Sequence, residues 1–211
     1  MLYSRGLVGS WRLENTALDG SGNGNHGTLV GNPTYVAGRI GRCLDFPNTL
    51  RTDRHYLDVT GLTDAGKSHT FAFRAYPRNS ARSLQYIFDA DIGRLVIGWG
   101  GDTARLIGLY SSAAWGYFGA SPPSNTWHDV AITTNATTST ATMFLGGIPY
   151  GLQVNYTPVT IGSLVHIGAR YDVAGTTWAG FDGPIDEFHI WNRVLTETDI
   201  RRVMMGMHPI S

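Results

Sequence analysis

The stretch HTFAFRAYP (69–77) alternates without a break: Phe71, Phe73 and Ala75 fall on one side, Thr70, Ala72 and Arg74 on the other. A chain whose apolar residues recur at every second position lies as an extended strand with one face on a core. The same period returns along the sequence. GLVGSWRL (6–13) sets Leu7, Gly9, Trp11 and Leu13 together. RCLDF, HYLDV, SLQYIFDA, GRLVIGWG, ARLIGLYS, TWHDVAITT, TATMFLGG, IPYGLQVN, GSLVHIGARY and GPIDEFHIWNR carry it on, about a dozen strand segments in all. Turn residues separate them at short intervals, which predicts two antiparallel sheets packed as an all-β sandwich. Gly146-Gly147 predicts a tight hairpin turn. One helix is expected near the C-terminus: Thr196 caps it, Asp199 stands three residues on, Ile200, Val203 and Met204 form its apolar side, and Gly206 ends it.

Composition narrows the function. The 211 residues suit one domain, read here as 1–211, without repeats or linkers. The formal net charge is zero, from 16 basic and 16 acidic residues. Neither a basic excess nor a basic stripe is present, so nucleic acid is not an expected partner. Cys43 is the single cysteine, which excludes an internal disulfide and a cysteine-based zinc site; its place in RCLDF reads as a small core residue. No apolar segment approaches the roughly 20 residues of a membrane span. The opening MLYSRGLVGSW has no signal-peptide pattern. Synthesis in the cytoplasm is the expectation, with a final place on a virion or the extracellular surface of an assembly.

DGSGNGNHGTL (19–29) is neither helix nor strand by composition. Calcium takes six to eight oxygen ligands. Glycines let carbonyls converge, and Asp19, Asn23 and Asn25 supply side-chain oxygens. The same residues also build ordinary turns, because Asp and Asn cap turns with their own side chains. Both readings stand at this stage; His26 reads as a hydrogen-bonded loop residue. Aromatic residues among glycines are the other feature: Trp99 in IGWGGD, Trp115 and Tyr117 in LYSSAAWGYFGAS, and Trp178 in GTTWAGFDG. Flat aromatic faces stack on sugar rings and anchor protein interfaces, so these four are the candidate ligand or interface contacts.

GLVGSWRLE with DGSGNGNHGTLVGNPTYVAGRIGRCLDF resembles the opening of laminin-G-like modules of the concanavalin A-like lectin/glucanase superfamily. HTFAFRAYP is similar to a strand usually written with Trp where this chain has Arg74. TWHDVAITTN is similar to a Trp-His central strand, and FDGPIDEFHIWNRVLTETDI to the closing strand and helix. The resemblance implies a jelly-roll sandwich, but function follows from the site and not from the fold. It also implies one structural Ca²⁺ held between the early loop and an acid of the last strand, here Asp186. By alternation Asp186 shares a face with Phe188, and Glu187 points the other way toward the surface or a partner.

Catalysis finds little support. The superfamily's glucanases carry a Glu-x-Asp-x-(x)-Glu strand, and this chain has only Glu14, Glu187 and Glu197, far apart. Asp89 and Asp91 in DAD read as a hairpin turn. The Arg, Gln, His and Tyr of the superfamily's polysaccharide lyases could be sought in Arg74, Gln85, His166 and Tyr171, but their spacing singles out none of them. His128, His166 and His189 read as strand residues and Trp127 as packing. The leading expectation is a non-catalytic binding or structural module. It would be a surface, adhesion or decoration component of an assembly such as a virion, with protein partners or copies of itself, and recognising glycans. MMGMHPIS, with three Met and an Ile, offers interface residues. A free-standing lectin domain is the alternative, and a polysaccharide lyase or glycoside hydrolase a more distant one.

Overall fold

The computed structural model describes residues 5–50, 52–78, 85–100, 106–112, 114–170 and 179–207. Fifteen strands and one helix are formed there. They are β1 (Leu7–Trp11), β2 (Gly27–Val30), β3 (Thr34–Ala37), β4 (Arg42–Pro47), β5 (Tyr56–Thr60), β6 (His69–Ala75), β7 (Gln85–Ala90) and β8 (Leu95–Trp99). β9 (Leu106–Ser111), β10 (Ala114–Ala120), β11 (His128–Asn135), β12 (Thr140–Leu145), β13 (Ile148–Asn155), β14 (Leu164–Ile167), β15 (Asp182–Trp191) and α1 (Glu197–Met204) complete the order.

The strands form two antiparallel sheets. The eight-stranded sheet runs β13-β12-β11-β6-β15-β4-β3. β15 is long enough to serve two neighbours on one edge: Asp182–Ile185 pairs with β4, and Phe188–Trp191 pairs with β1. The seven-stranded sheet runs β10-β9-β8-β7-β14-β5-β2. Between them Phe73, Phe88 and Phe188 stack at centroid separations of 5.3 and 5.8 Å, one ring from each of three strands. Phe71, Phe73 and Ala75 of β6 face this core, as the alternation requires. Ala72 faces outward, where Trp191, Leu195, Ile200 and Val203 pack beneath α1. Burying one such side chain stabilises the fold by about 1.5–3 kcal/mol, and this sets the two sheets face to face. Where they meet along one side, the edge strands cover each other: the Tyr150 hydroxyl of β13 donates to the Ala120 carbonyl of β10 at 2.8 Å.

Local signals were obeyed. Gly146 and Gly147 both have positive φ (60° and 79°) and close the β12–β13 hairpin. The Thr196 side chain accepts from the Asp199 N–H, and the helix stops before Gly206 at φ 77°. Asp91 and Ile92, at φ 51° and 57°, make the expected turn after β7. Cys43 is fully buried, and burial first, then Asp186 and Asp45, pushes its thiol up to about 12; it is inert packing. Three strands lay outside the alternation, β2, β3 and β10, all short or glycine-broken.

Candidate functional site

The glycine-rich loop docks on β1. The Asp19 carboxylate is buried and accepts four hydrogen bonds: Oδ1 from the N–H groups of Ser10 (2.9 Å) and Ser21 (2.8 Å), Oδ2 from the Ser21 hydroxyl (2.7 Å) and the Asn25 N–H (3.0 Å). The Asn23 amide donates to the carbonyls of Leu7 and Val8, and the Asn25 amide to Val8. The Trp11 indole donates to the Asn25 carbonyl at 2.8 Å. His26 accepts from the Asp19 N–H through Nδ1.

The side chains of Asp19, Asn23 and Asn25 are spent on the fold's own hydrogen bonds. The carboxylate that would lead the site is saturated by donors, and two amides are turned to give protons to the backbone. Asp186 lies near another segment: Oδ2 accepts from the Ile40 N–H at 3.3 Å and faces Gly38, while Oδ1 is buried without a hydrogen-bond partner. Alternation also failed locally. Glu187 takes φ 52° in a bulge between Asp186 and His189, since an extra residue re-aims the side chains that follow. Phe188 therefore enters the core, Asp186 faces outward, and Glu187 is 2% exposed, not a surface residue as expected. Among the described residues no group of three or more His, Cys, Asp or Glu is placed to hold a metal.

Three histidines pair with carboxylates. The Ser10 hydroxyl meets His189 Nδ1 at 2.9 Å, and His189 Nε2 meets Glu187 at 3.2 Å. His69 meets Asp64 at 2.7 Å. His166 lies between Asp58 and Asp89 at 3.5 and 3.6 Å. The first set has the residue types of a nucleophile–base–acid relay, yet Ser10, His189 and Glu187 are all at most 5% exposed. The cavity beside it, bordered by Arg74, Glu187, His189 and Met204, measures about 10 Å³, room for one water. A substrate cannot enter it. These pairs are ion-pair contacts inside the fold, and His69–Asp64 and Ser10–His189 are hydrogen bonds. Arg74, at the usual Trp position of the resembling strand, pairs with Asp129 at 2.9 Å and donates to the Met204 carbonyl, which pins the end of α1.

The outer face of the seven-stranded sheet gathers aromatic rings from three strands. Trp115 and Tyr117 of β10 stack nearly parallel, 5.8 Å apart at 7°. Trp115 also stacks on Tyr86 of β7 at 6.2 Å and meets Tyr110 of β9 at 5.6 Å. The Arg170 guanidinium lies over Tyr86 and Tyr110, 5.4 and 5.7 Å from their centroids. Glycines make room. A Cβ on Gly98 would come within 2.9 Å of the Trp115 ring, and one on Gly108 within 2.8 Å of Tyr117. The rings therefore rest flat across neighbouring strands. Trp115, Tyr117 and Tyr110 stay partly exposed.

Trp99 does not join this strip. It is 0% exposed, in the core against Phe181. Leu95, Ile97 and Trp99 alternate inward on β8, and that pattern outweighs the flanking glycines that suggested a loop. Trp178 lies outside the described residues, as does Tyr171. Trp127 is half-buried and meets Tyr76 edge-on at 5.6 Å. Tyr86, Tyr110 and Arg170 join the strip because the strand order brings them to Trp115. Beside Trp115 a groove of about 320 Å³ opens, bordered by Ser111, Ser139, Asn155, Tyr156 and Thr157.

A two-sheet lectin-like sandwich with an aromatic strip on one outer face is the class these features define. The laminin G family model described as "Concanavalin A-like lectin/glucanases superfamily" matches residues 51–201, and the chain belongs to that family. Solved structures agree on the fold. Domain 4 of AbnA, a GH43 extracellular arabinanase from Geobacillus stearothermophilus, in complex with arabinotriose, superposes with a TM-score of 0.72 at 17% identity, covering 94% of this chain and 98% of that one. The binding domain of botulinum neurotoxin DC in complex with rat synaptotagmin II gives 0.73 at 15% identity, covering 98% of this chain. The binding domain of Paraclostridial Mosquitocidal Protein 1 gives 0.72 at 15%, covering 97% of this chain. This chain spans 53% of the length of each of these two binding domains. No curated protein sequence matches it.

Proposed function

We propose that this protein is a non-catalytic glycan-binding module that stacks sugar rings on the aromatic strip of its seven-stranded sheet. One observation carries the reading: Trp115 is partly exposed and its ring is held by Tyr117, Tyr86 and Tyr110. A ring fixed before the ligand arrives loses little entropy on binding. The arabinotriose complex of the arabinanase domain, similar over nearly its whole length, supports a carbohydrate ligand. Among the described residues, burial of the histidines of the carboxylate–histidine sets, His69, His166 and His189, supports a non-catalytic role. A glycan array tests it. Wild type retains at least one oligosaccharide, Trp115→Ala retains it at least tenfold more weakly, and no reducing ends are released on long incubation. Product release, or a wild-type array without signal, overturns the proposal.

A second reading, a structural or adhesion component of a larger assembly such as a virion, has its own observation. Met205, Met207 and Ile40 are 68%, 49% and 37% exposed at the end of α1, and Gly206 between the two methionines lies against Ile40. Soft apolar side chains in one patch suit a protein contact. Sedimentation velocity separates the readings: a monomer removes the self-assembly form of this one.

A further inference from the structure

The glycine-rich loop holds the chain's one Asn-Gly pair, Asn23-Gly24. Asparagine before glycine is the pair most open to attack by its own backbone, because glycine has no Cβ to shield its nitrogen. Both residues are exposed. Apart from its chain neighbours, no described atom comes within 4 Å of where a Gly24 Cβ would stand, so the ring formed by such attack has room. The Gly24 N–H makes no hydrogen bond among the described residues, so the nucleophile is not spent on the fold.

The leaving group is spent. Val8 stands at a register shift of β1 against β15, between Leu7 and Gly9. A bulge leaves backbone groups outside the ladder. The Asn23 side-chain amide serves them: Nδ2 donates to the Leu7 and Val8 carbonyls at 2.8 and 3.0 Å, and to the Ser21 hydroxyl at 3.1 Å. This tether holds Nδ2 on β1, and with it the carbon that Gly24 must reach.

From this we infer that Asn23 is a site of spontaneous deamidation, gated by the docking of the loop on β1 and loosening that docking once it has occurred. The Gly24 nitrogen gives its proton to solvent and bonds to Asn23 Cγ. The Cγ–Nδ2 bond breaks, and Nδ2 leaves as ammonia with a proton from solvent. Water then opens the cyclic imide at either carbonyl. One opening gives aspartate; the other gives isoaspartate, with one more carbon in the main chain. The net change is amide plus water to carboxylate plus ammonium, with nothing oxidised or reduced. Either product has lost the donor that Leu7 and Val8 share and carries a negative charge in its place. Isoaspartate also lengthens the chain just before Asn25, whose N–H is held by Asp19 and whose carbonyl is held by Trp11. The reaction waits for the loop to open, a local event that costs less than unfolding, and then prevents it from closing as before.

Peptide mapping by mass spectrometry tests this on the folded protein and on the protein in urea, both in the same mildly alkaline buffer. In the folded protein Asn23 converts before any other asparagine, to a mixture of aspartate and isoaspartate, roughly tenfold more slowly than in urea. Asp19→Ala removes the loop's anchor and, under conditions where circular dichroism shows it folded, brings the rate toward that in urea. Asn23→Asp carries the product side chain from the start and lowers Tm by about 3–6 °C through the lost donors. Equal rates in the folded protein and in urea overturn the gate. Earlier conversion of another asparagine, or an intact Asn23 long after the urea sample is fully converted, overturns the site. A wild-type Tm in Asn23→Asp overturns the loosening.

Discussion

Replacing Asp186 by asparagine raises stability at pH 8 by about 4 kcal/mol relative to wild type and leaves it nearly unchanged at pH 3.5. Asp186 is fully buried on the outer face of the eight-stranded sheet. Burial, opposed by the hydrogen bond from Ile40, pushes its carboxyl up from 3.8 to about 7; Glu187 and Glu14 add to the rise and Arg74 opposes it. Oδ1 has no hydrogen-bond partner. In the unfolded chain this group loses its proton near pH 4, and in the folded protein only near 7. Between those values the folded state holds more protons, so stability falls as pH rises, and the whole cost is in place above about 7. Asparagine keeps an acceptor for the Ile40 N–H and never ionises. Urea unfolding of both proteins at pH 3.5, 5.5 and 8 measures the difference. Parallel curves at all three would mean that Asp186 ionises freely in the fold.

Asp19→Ala costs about 2–4 kcal/mol, because it strips an ionised acceptor from four donors and leaves the Ser10 and Asn25 N–H groups buried without partners. For a chain of this length that is a fall of roughly 6–12 °C in Tm. A chelator leaves the wild-type Tm unchanged, since Asp19, Asn23 and Asn25 already use their side chains in hydrogen bonds of the fold. Calorimetry with and without EDTA reads both effects. A chelator shift as large as that of the substitution would put a cation in the loop. The loop then fastens β1 to the sandwich with its own atoms: Ser10, held by Asp19, reaches His189 on β15.

What could be read from the chain was whatever a short window encodes. The β6 alternation, the Gly146-Gly147 turn and the Thr196 cap depend on neighbours in sequence, and each stands where expected. Trp115 and Tyr117 were legible as partly exposed rings because aromatic residues among small ones stand out. The rest depended on long-range pairing. Nothing near Glu187 announces a bulge, so one left-handed residue moved Asp186 off the face of Phe188 and left both acids on the outer side. Gly98 and Gly108 receive the aromatic rings only because β8, β9 and β10 are adjacent. Trp99 was misjudged for a different reason: its alternation with Leu95 and Ile97 was present and was outweighed by its glycine neighbours.

The most direct measurement is the set of indole ¹⁵N–¹H resonances, one for each of the six tryptophans, during titration with an oligosaccharide retained on the array. The account predicts that the Trp115 resonance moves in a saturable way while those of buried Trp11, Trp99 and Trp191 stay fixed. A still Trp115 signal at full occupancy would contradict it.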